Sequence, residues 1–203
     1  PIWSFNSDGS FNYNSNMMDG AIGDTIIVNG AIAPTLDVNQ IKMRFRIING
    51  ANASNFNLTV DDGVQFYQIA SDGGFLESPV LEKSLFISPG ERAEIVVDFS
   101  RFEKGQTVAM KSGDSDVMYF RIADSQKDDT IIPDELAEIE RMKIDSSTPV
   151  KRIELDGMGH MVAINGRKFD MERIDDVAEL GVIEVWEITS AASMMHSMGH
   201  PFH

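Results

Sequence analysis

Three of the four histidines in this chain, His196, His200 and His203, fall within the stretch Trp186–His203. His200 and His203 bracket Pro201-Phe202. Neutral imidazole is the commonest protein ligand for transition metals. Such a site needs about three or four donors, so two imidazoles supply about half of one. Pro201 would restrict the backbone between them and remove one amide donor. Met194, Met195 and Met198 crowd the same histidines, and six of the chain's 12 methionines lie between Met158 and Met198. Thioethers are soft donors that suit a cuprous ion. They also fill irregular cores, and both readings stand. His160, in Asp156-Gly157-Met158-Gly159-His160, reads as a solvated turn residue.

Other chemistries find no residues. Cysteine is absent, which removes disulfides, thiolate metal sites and a cysteine nucleophile from this chain. There is no phosphate-binding loop, no Ser-His-Asp order and no pair of carboxylates placed for acid–base work. Asp24, Asp61, Asp62, Asp72, Glu91, Glu94 and Asp98 read as turn and surface acids. The formal charge of −15 excludes a basic nucleic-acid face and exerts a mild pull on cations. No apolar run approaches the roughly 18 residues of a membrane span. The first residue is Pro1 and the last is His203, and no signal peptide is visible, so a piece of a longer polypeptide is expected. The sequence assigns no compartment.

The elements that must position these residues are strands. Thr25–Val28 closes on Asn29-Gly30, a strong turn dipeptide. Met43–Ile48 alternates with a period of two, so one face is buried and Arg44 and Arg46 point the other way. Phe56–Val60 and Val64–Ala70 flank Asp61-Asp62-Gly63 and read as a hairpin. Ser84–Ile87 and Ala93–Phe99 flank Pro89-Gly90, and Thr107–Lys111 and Val117–Ala123 complete the set. Residues 1–20 read as an irregular entry loop. Short strands with frequent turn signals predict an all-β, antiparallel sandwich or barrel. From Gln126 to Val150 the composition shifts to charge and proline, which marks a boundary. Pro133–Met142 fits either a short helix or an extended linker. Strand signals resume at Arg152–Leu155, Met161–Ile164 and Val182–Thr189. These are too few to close a second sandwich, so the tail wants further chain to cover its edges.

Several phrases, in order, resemble the multicopper oxidases. Met17-Met18-Asp19-Gly20 followed by Gly23–Gly30 looks like the opening of that family's second domain. Arg44–Asn52 is similar to its RLRLLNGSN strand, and Ile87–Phe99 to its PGER-containing segment. Ile164-Asn165-Gly166, Glu184–Ile188 and His200-Pro201-Phe202-His203 look like the start of its third domain.

The resemblance implies a cupredoxin-like Greek-key β-sandwich at 1–126, a linker at 127–150, and at 151–203 the N-terminal part of a further cupredoxin domain. It implies copper as cofactor, about four ions in the complete parent. His200 would be a ligand of the type 1 copper and His203 of the type 2 copper, with Met194, Met195 and Met198 as a possible cuprous-ion or substrate approach. His196 matches no ligand position and reads as loop or packing. The implied partners are dioxygen, a reducing small molecule or metal ion, and the remainder of the parent polypeptide or a complementary fragment. The implied reaction couples one-electron oxidation of phenols, pigments or metal ions to four-electron reduction of dioxygen to water, and the isolated piece would be inactive. The alternative is a copper-free cupredoxin scaffold of the cell-division type, which keeps the architecture as a binding module.

Overall fold

The structure is a computed structural model that describes residues 1–13, 20–157 and 161–190. Its contacts group residues 1–13 and 21–138 in one unit and 139–190 in another. No described helix is long and apolar enough to cross a membrane.

The first unit begins with β1 (Ile2–Trp3), β2 (Thr25–Val28) and β3 (Ala31–Ile32), paired as a small three-stranded sheet. Asn29 and Gly30 join β2 to β3 with φ of 49° and 85°. Both values are positive, as a two-residue type I′ hairpin turn requires. Gly23 lies against Trp3, where a Cβ would collide with the Trp3 backbone. Then follow β4 (Thr35–Val38), β5 (Lys42–Ile48), β6 (Phe56–Val60), β7 (Phe66–Ser71), β8 (Gly74–Glu82), β9 (Ser84–Ile87), β10 (Arg92–Asp98), β11 (Thr107–Ser112) and β12 (Ser115–Ile122). They form two sheets, ordered β5-β10-β7-β8 and β4-β12-β11-β6-β9.

The inward residues of these sheets make one core. Ile95 and Val97 of β10, Phe66 of β7, Val108 of β11 and Phe120 and Ile122 of β12 are all essentially inaccessible. Phe120 packs at 5.0 Å from Phe99 and 5.3 Å from Phe45 between ring centroids. Alternation along β5 follows the period of two: Arg44, Arg46 and Ile48 are exposed, while Phe45 and Ile47 pack against the core.

The observed strands and pairing depart from the expected antiparallel set in three places. Strands β6 and β7 do not form the expected hairpin. The chain makes a short 3₁₀ turn at Asp61–Gly63 and passes from one sheet to the other. The turn residues specify a reversal, but they do not say which sheet receives the next strand. Second, β8 was not among the expected strands, and Pro79 lies within it. Proline is tolerated there because β8 is an edge strand with no partner required on one side. Third, β4 pairs with β12 in parallel, Thr35 opposite Tyr119 through Val38 opposite Ile122. The entry segment also has order: β1 pairs with β2, and Phe5 bridges Phe11 across a tight reversal.

The charged stretch after β12 is extended, and no helix forms at Pro133–Met142. An isolated helix of about ten residues is marginal without a face to pack. Here the Leu136 amide instead donates to the Glu77 carbonyl on β8, 2.9 Å away. Upstream, Asp128 accepts the Lys42 amide at 2.8 Å and the Thr130 amide at 2.9 Å. Hydrogen bonds from Thr130 and from the Lys42 amide, with the Lys42 charge nearby, hold the Asp128 carboxyl far below its ordinary range. A depressed carboxylate pKa contributes stability that is present above the unfolded value, about 3.9, and is lost as pH falls through the folded value. Asp128→Ala should therefore lower the unfolding midpoint near neutral pH. The gap to the parent should narrow steadily below about pH 4 in a pH series of thermal melts. A gap that widens on acidification would refute this role.

Candidate metal centre

His200, His203, Met194, Met195, Met198 and His196 lie outside the described residues, as does His160. Among the described residues, no group of three or more histidine, cysteine, aspartate or glutamate side chains could hold a metal ion. What the structure shows is the strand that leads into the terminal histidine motif.

The second unit holds β13 (Val150–Asp156), β14 (Ala163–Ile164) and β15 (Val185–Ser190), in the order β14-β13-β15. Strand β15 runs parallel to β13, from Val185 opposite Val150 to Ser190 opposite Leu155. Ser190 is the last described residue before the histidine segment.

Side chains hold this register. Lys151 of β13 donates to Asp176 at 3.0 Å and to the Val177 carbonyl at 3.1 Å, and pairs with Glu184 at 3.2 Å. Its ammonium also sits 5.1 Å from the centroid of the Trp186 ring. The Trp186 indole N–H donates to Glu184 at 3.0 Å. The hydrogen bond to Asp176, then that to Glu184, pushes the Lys151 pKa up. The indole and the ammonium pull the Glu184 pKa down. Both shifts favour the ionised pair. One residue along β13, Arg152 donates to Glu187 directly opposite on β15, at 2.9 Å. Asn165, at φ 51° before Gly166 at 70°, accepts the Glu154 amide at 2.7 Å and donates to the Arg152 carbonyl at 3.2 Å. These contacts lock both neighbours of β13. Sequence reading missed the Lys151 cluster, because the spacing from Lys151 to Trp186 acquires meaning only in the parallel register.

The acids expected at turns and on surfaces do structural work where they are described. Asp61 accepts the Ala109 amide at 2.7 Å and pairs with Lys111 at 2.9 Å. Asp72 accepts the Arg92 amide at 2.7 Å, Glu91 the Ser88 amide at 2.6 Å, and Asp98 the Ser100 amide at 2.9 Å. Asp24 accepts the Thr25 hydroxyl at 2.8 Å, and Glu94 pairs with Arg44 and Arg46.

Comparison with known proteins places this architecture. Residues 3–116 match the profile of the family described as multicopper oxidase. The chain is 40% identical over 187 residues to the multicopper oxidase mco of Staphylococcus haemolyticus (strain JCSC1435), covering 91% of this chain and 38% of that protein. It is 30% identical over 198 residues to cell division protein FtsP of Escherichia coli (strain K12), covering 89% of this chain and 41% of that protein. The crystal structure of a laccase from Pediococcus acidilactici Pa5930 superposes with a TM-score of 0.93 at 33% identity, over 100% of this chain and 44% of the other. The chain thus spans about two fifths of the length of the relatives it matches. Its open β-sheets are those of a cupredoxin-like Greek-key sandwich. By sequence and by fold, this chain belongs to the multicopper oxidase family.

Proposed function

We propose that this chain is part of a copper-dependent oxidase that takes single electrons from phenols, pigments or metal ions and passes four of them to dioxygen, giving water. The observation that carries this reading is the motif His200-Pro201-Phe202-His203 in a chain that belongs to this family. In this reading residues 1–126 are one complete cupredoxin-like domain, 127–150 a linker, and 151–203 the opening of a further domain. His200 serves the type 1 copper and His203 the type 2 copper. Copper, when bound, supplies one-electron redox chemistry.

The chain's own contribution is placement. The β13–β15 register delivers the strand end at Ser190, and Pro201 limits the backbone freedom between the two imidazoles. Each imidazole must be neutral to ligate, so metal loading should weaken on acidification. The charge of −15 favours approach of cations. Met194, Met195 and Met198 offer thioethers beside the histidines as an approach for a cuprous ion. The remaining copper donors come from the rest of the parent polypeptide or from a complementary fragment, so the 203-residue chain alone is catalytically silent.

The test compares this chain with a polypeptide of the relatives' full length, using elemental copper, the visible spectrum and dioxygen uptake. The full-length protein should carry about four copper ions with an intense blue absorption. His200→Ala should abolish the blue band. His203→Ala should keep it and still lower dioxygen uptake by more than about 100-fold, the upper range for losing even an outer-shell partner of a metal ligand. Changing the three methionines to leucine should slow cuprous oxidation while phenol oxidation persists. A folded full-length protein that binds no copper would overturn the oxidase reading. It would favour the second one, a copper-free scaffold, which the likeness to a cell division protein supports.

A further inference from the structure

The outward face of the β5-β10-β7-β8 sheet carries a feature that copper chemistry does not use. Arg44 and Arg46 lie on β5, and Arg46 sits opposite Glu94 of β10. Arg92 lies one outward position along β10, opposite Ile48. Ala70 of β7 faces Glu94 from the other side, and β8 brings Phe75 opposite Ala70. The pairing slips at Glu94/Ile95 and again between Gln68 and Ala70. Such bulges bend a strand and re-aim its side chains. With only a methyl group at Ala70, the face dips into an open concavity of about 500 Å³, walled by the three arginines, Ile48 and Phe75.

The charges around this dip do not balance. Glu94 bridges two guanidiniums, through close contact with Arg44 and at 3.4 Å from Arg46 Nε. Asp72 pairs with Arg92 Nε at 3.1 Å, and Arg92 Nη1 donates to the Gly90 carbonyl at 3.1 Å. Three guanidiniums against two carboxylates leave one positive charge, in a chain whose net charge is −15. Each guanidinium has five N–H donors. Among the described residues, Arg46 has only its 3.4 Å contact with Glu94, through Nε, and its side chain is 77% exposed. The Phe75 ring is half exposed, and Arg44 lies 5.2 Å from its centroid. A planar guanidinium fork matches a carboxylate in two parallel hydrogen bonds. The volume falls within the roughly 300–1,000 Å³ of small-molecule sites.

We propose that this concavity binds a small aromatic monocarboxylate, its carboxylate on Arg46 and Arg92 and its ring against Phe75 and Ile48. One uncompensated positive charge selects a monoanion, and the apolar wall selects a ring over a bare inorganic anion. The site lies on strands of the first unit and needs no copper, so its failure or success is independent of the oxidase reading.

The test is a titration of the isotope-labelled protein with benzoate, following the arginine Nε–H resonances by NMR. Benzamide and inorganic phosphate serve as comparison probes. Benzoate should produce saturable shifts at Arg44, Arg46 and Arg92, weakened by added salt. Arg46→Gln and Arg92→Gln should each weaken benzoate about tenfold, as loss of a charge-assisted contact does. Phe75→Ala should weaken benzoate and leave any phosphate response unchanged. Benzamide binding as well as benzoate would overturn the proposal. So would phosphate binding as tightly as benzoate, or the absence of saturable shifts at these three side chains. Arg46→Gln removes only an exposed surface group, so it reports on binding even if another variant unfolds.

Discussion

Phe120→Ala is expected to remove about 3–5 kcal/mol of stability, the range for truncating a buried phenylalanine. Phe120 is fully inaccessible, on a strand paired on both sides, and its ring meets Phe99 and Phe45 from the facing part of the core. The loss has two parts. The ring's transfer from water is forfeited, and a cavity remains that the two-sheet core cannot collapse, since strands on either side are held by their ladders. Aromatic pairs of this geometry add about 0.5–1.5 kcal/mol beyond area burial. Domains of this size are stable by only about 5–15 kcal/mol, so the variant should sit close to unfolding. Denaturant titration checks it, with Phe86→Ala as the contrast. Phe86 is 61% exposed on edge strand β9, and its loss should shift stability by no more than about 0.5 kcal/mol. Equal costs at the two positions would contradict the core described above.

The legible parts of this fold are those whose information is local. The alternation of Met43–Ile48 gave the buried and exposed faces of β5 correctly, because side-chain period in a strand is a property of the backbone itself. Asn29-Gly30 and Asn165-Gly166 announced turns because their positive φ excludes most other residues. What stayed hidden is partner choice. Asp61–Gly63 signals a reversal whether the next strand pairs or crosses to the other sheet. The parallel contact of β4 with β12 joins residues 35–38 to 119–122, a pairing no local pattern encodes. Strand β8 carries Pro79, which its edge position permits.

The same distinction governs the sites. The histidine motif is readable because its residue types and spacing lie within four positions of the sequence. The arginine concavity was half readable. Alternation put Arg44 and Arg46 outward, but Glu94, Arg92 and Phe75 join them only through the register of β5, β10, β7 and β8. The Lys151 cluster likewise depends on the parallel register of β13 and β15.

Asn49→Ala should cost about 3 kcal/mol, although it removes only a short polar side chain. Asn49 is 2% exposed at the end of β5. Its amide nitrogen donates to the Ser54 carbonyl at 2.8 Å and to the Ile87 carbonyl at 3.0 Å. Its amide oxygen accepts the Ala51 amide at 2.9 Å. The side chain thus ties the loop after β5 to the end of β9, which belongs to the other sheet. Truncation leaves three backbone groups without that partner, two in buried hydrogen bonds and one in a part-buried one, each worth about 1 kcal/mol in lost hydrogen bonding and desolvation. Asn49→Asp sharpens the prediction. A carboxylate can still accept from Ala51, but it would face two carbonyl oxygens with no proton to donate. Burial and those carbonyls favour its neutral form, so its folded pKa should rise above the unfolded value of about 3.9. The sign then follows: a raised carboxyl pKa destabilises the folded state as pH climbs through and above the unfolded value. The aspartate variant should therefore be worse than the alanine variant near neutral pH and should recover toward about pH 4. Denaturant midpoints of the two variants across that interval decide it. An aspartate variant that loses further stability on acidification, relative to the alanine variant, would mean that Asn49 is not the donor joining these two sheets.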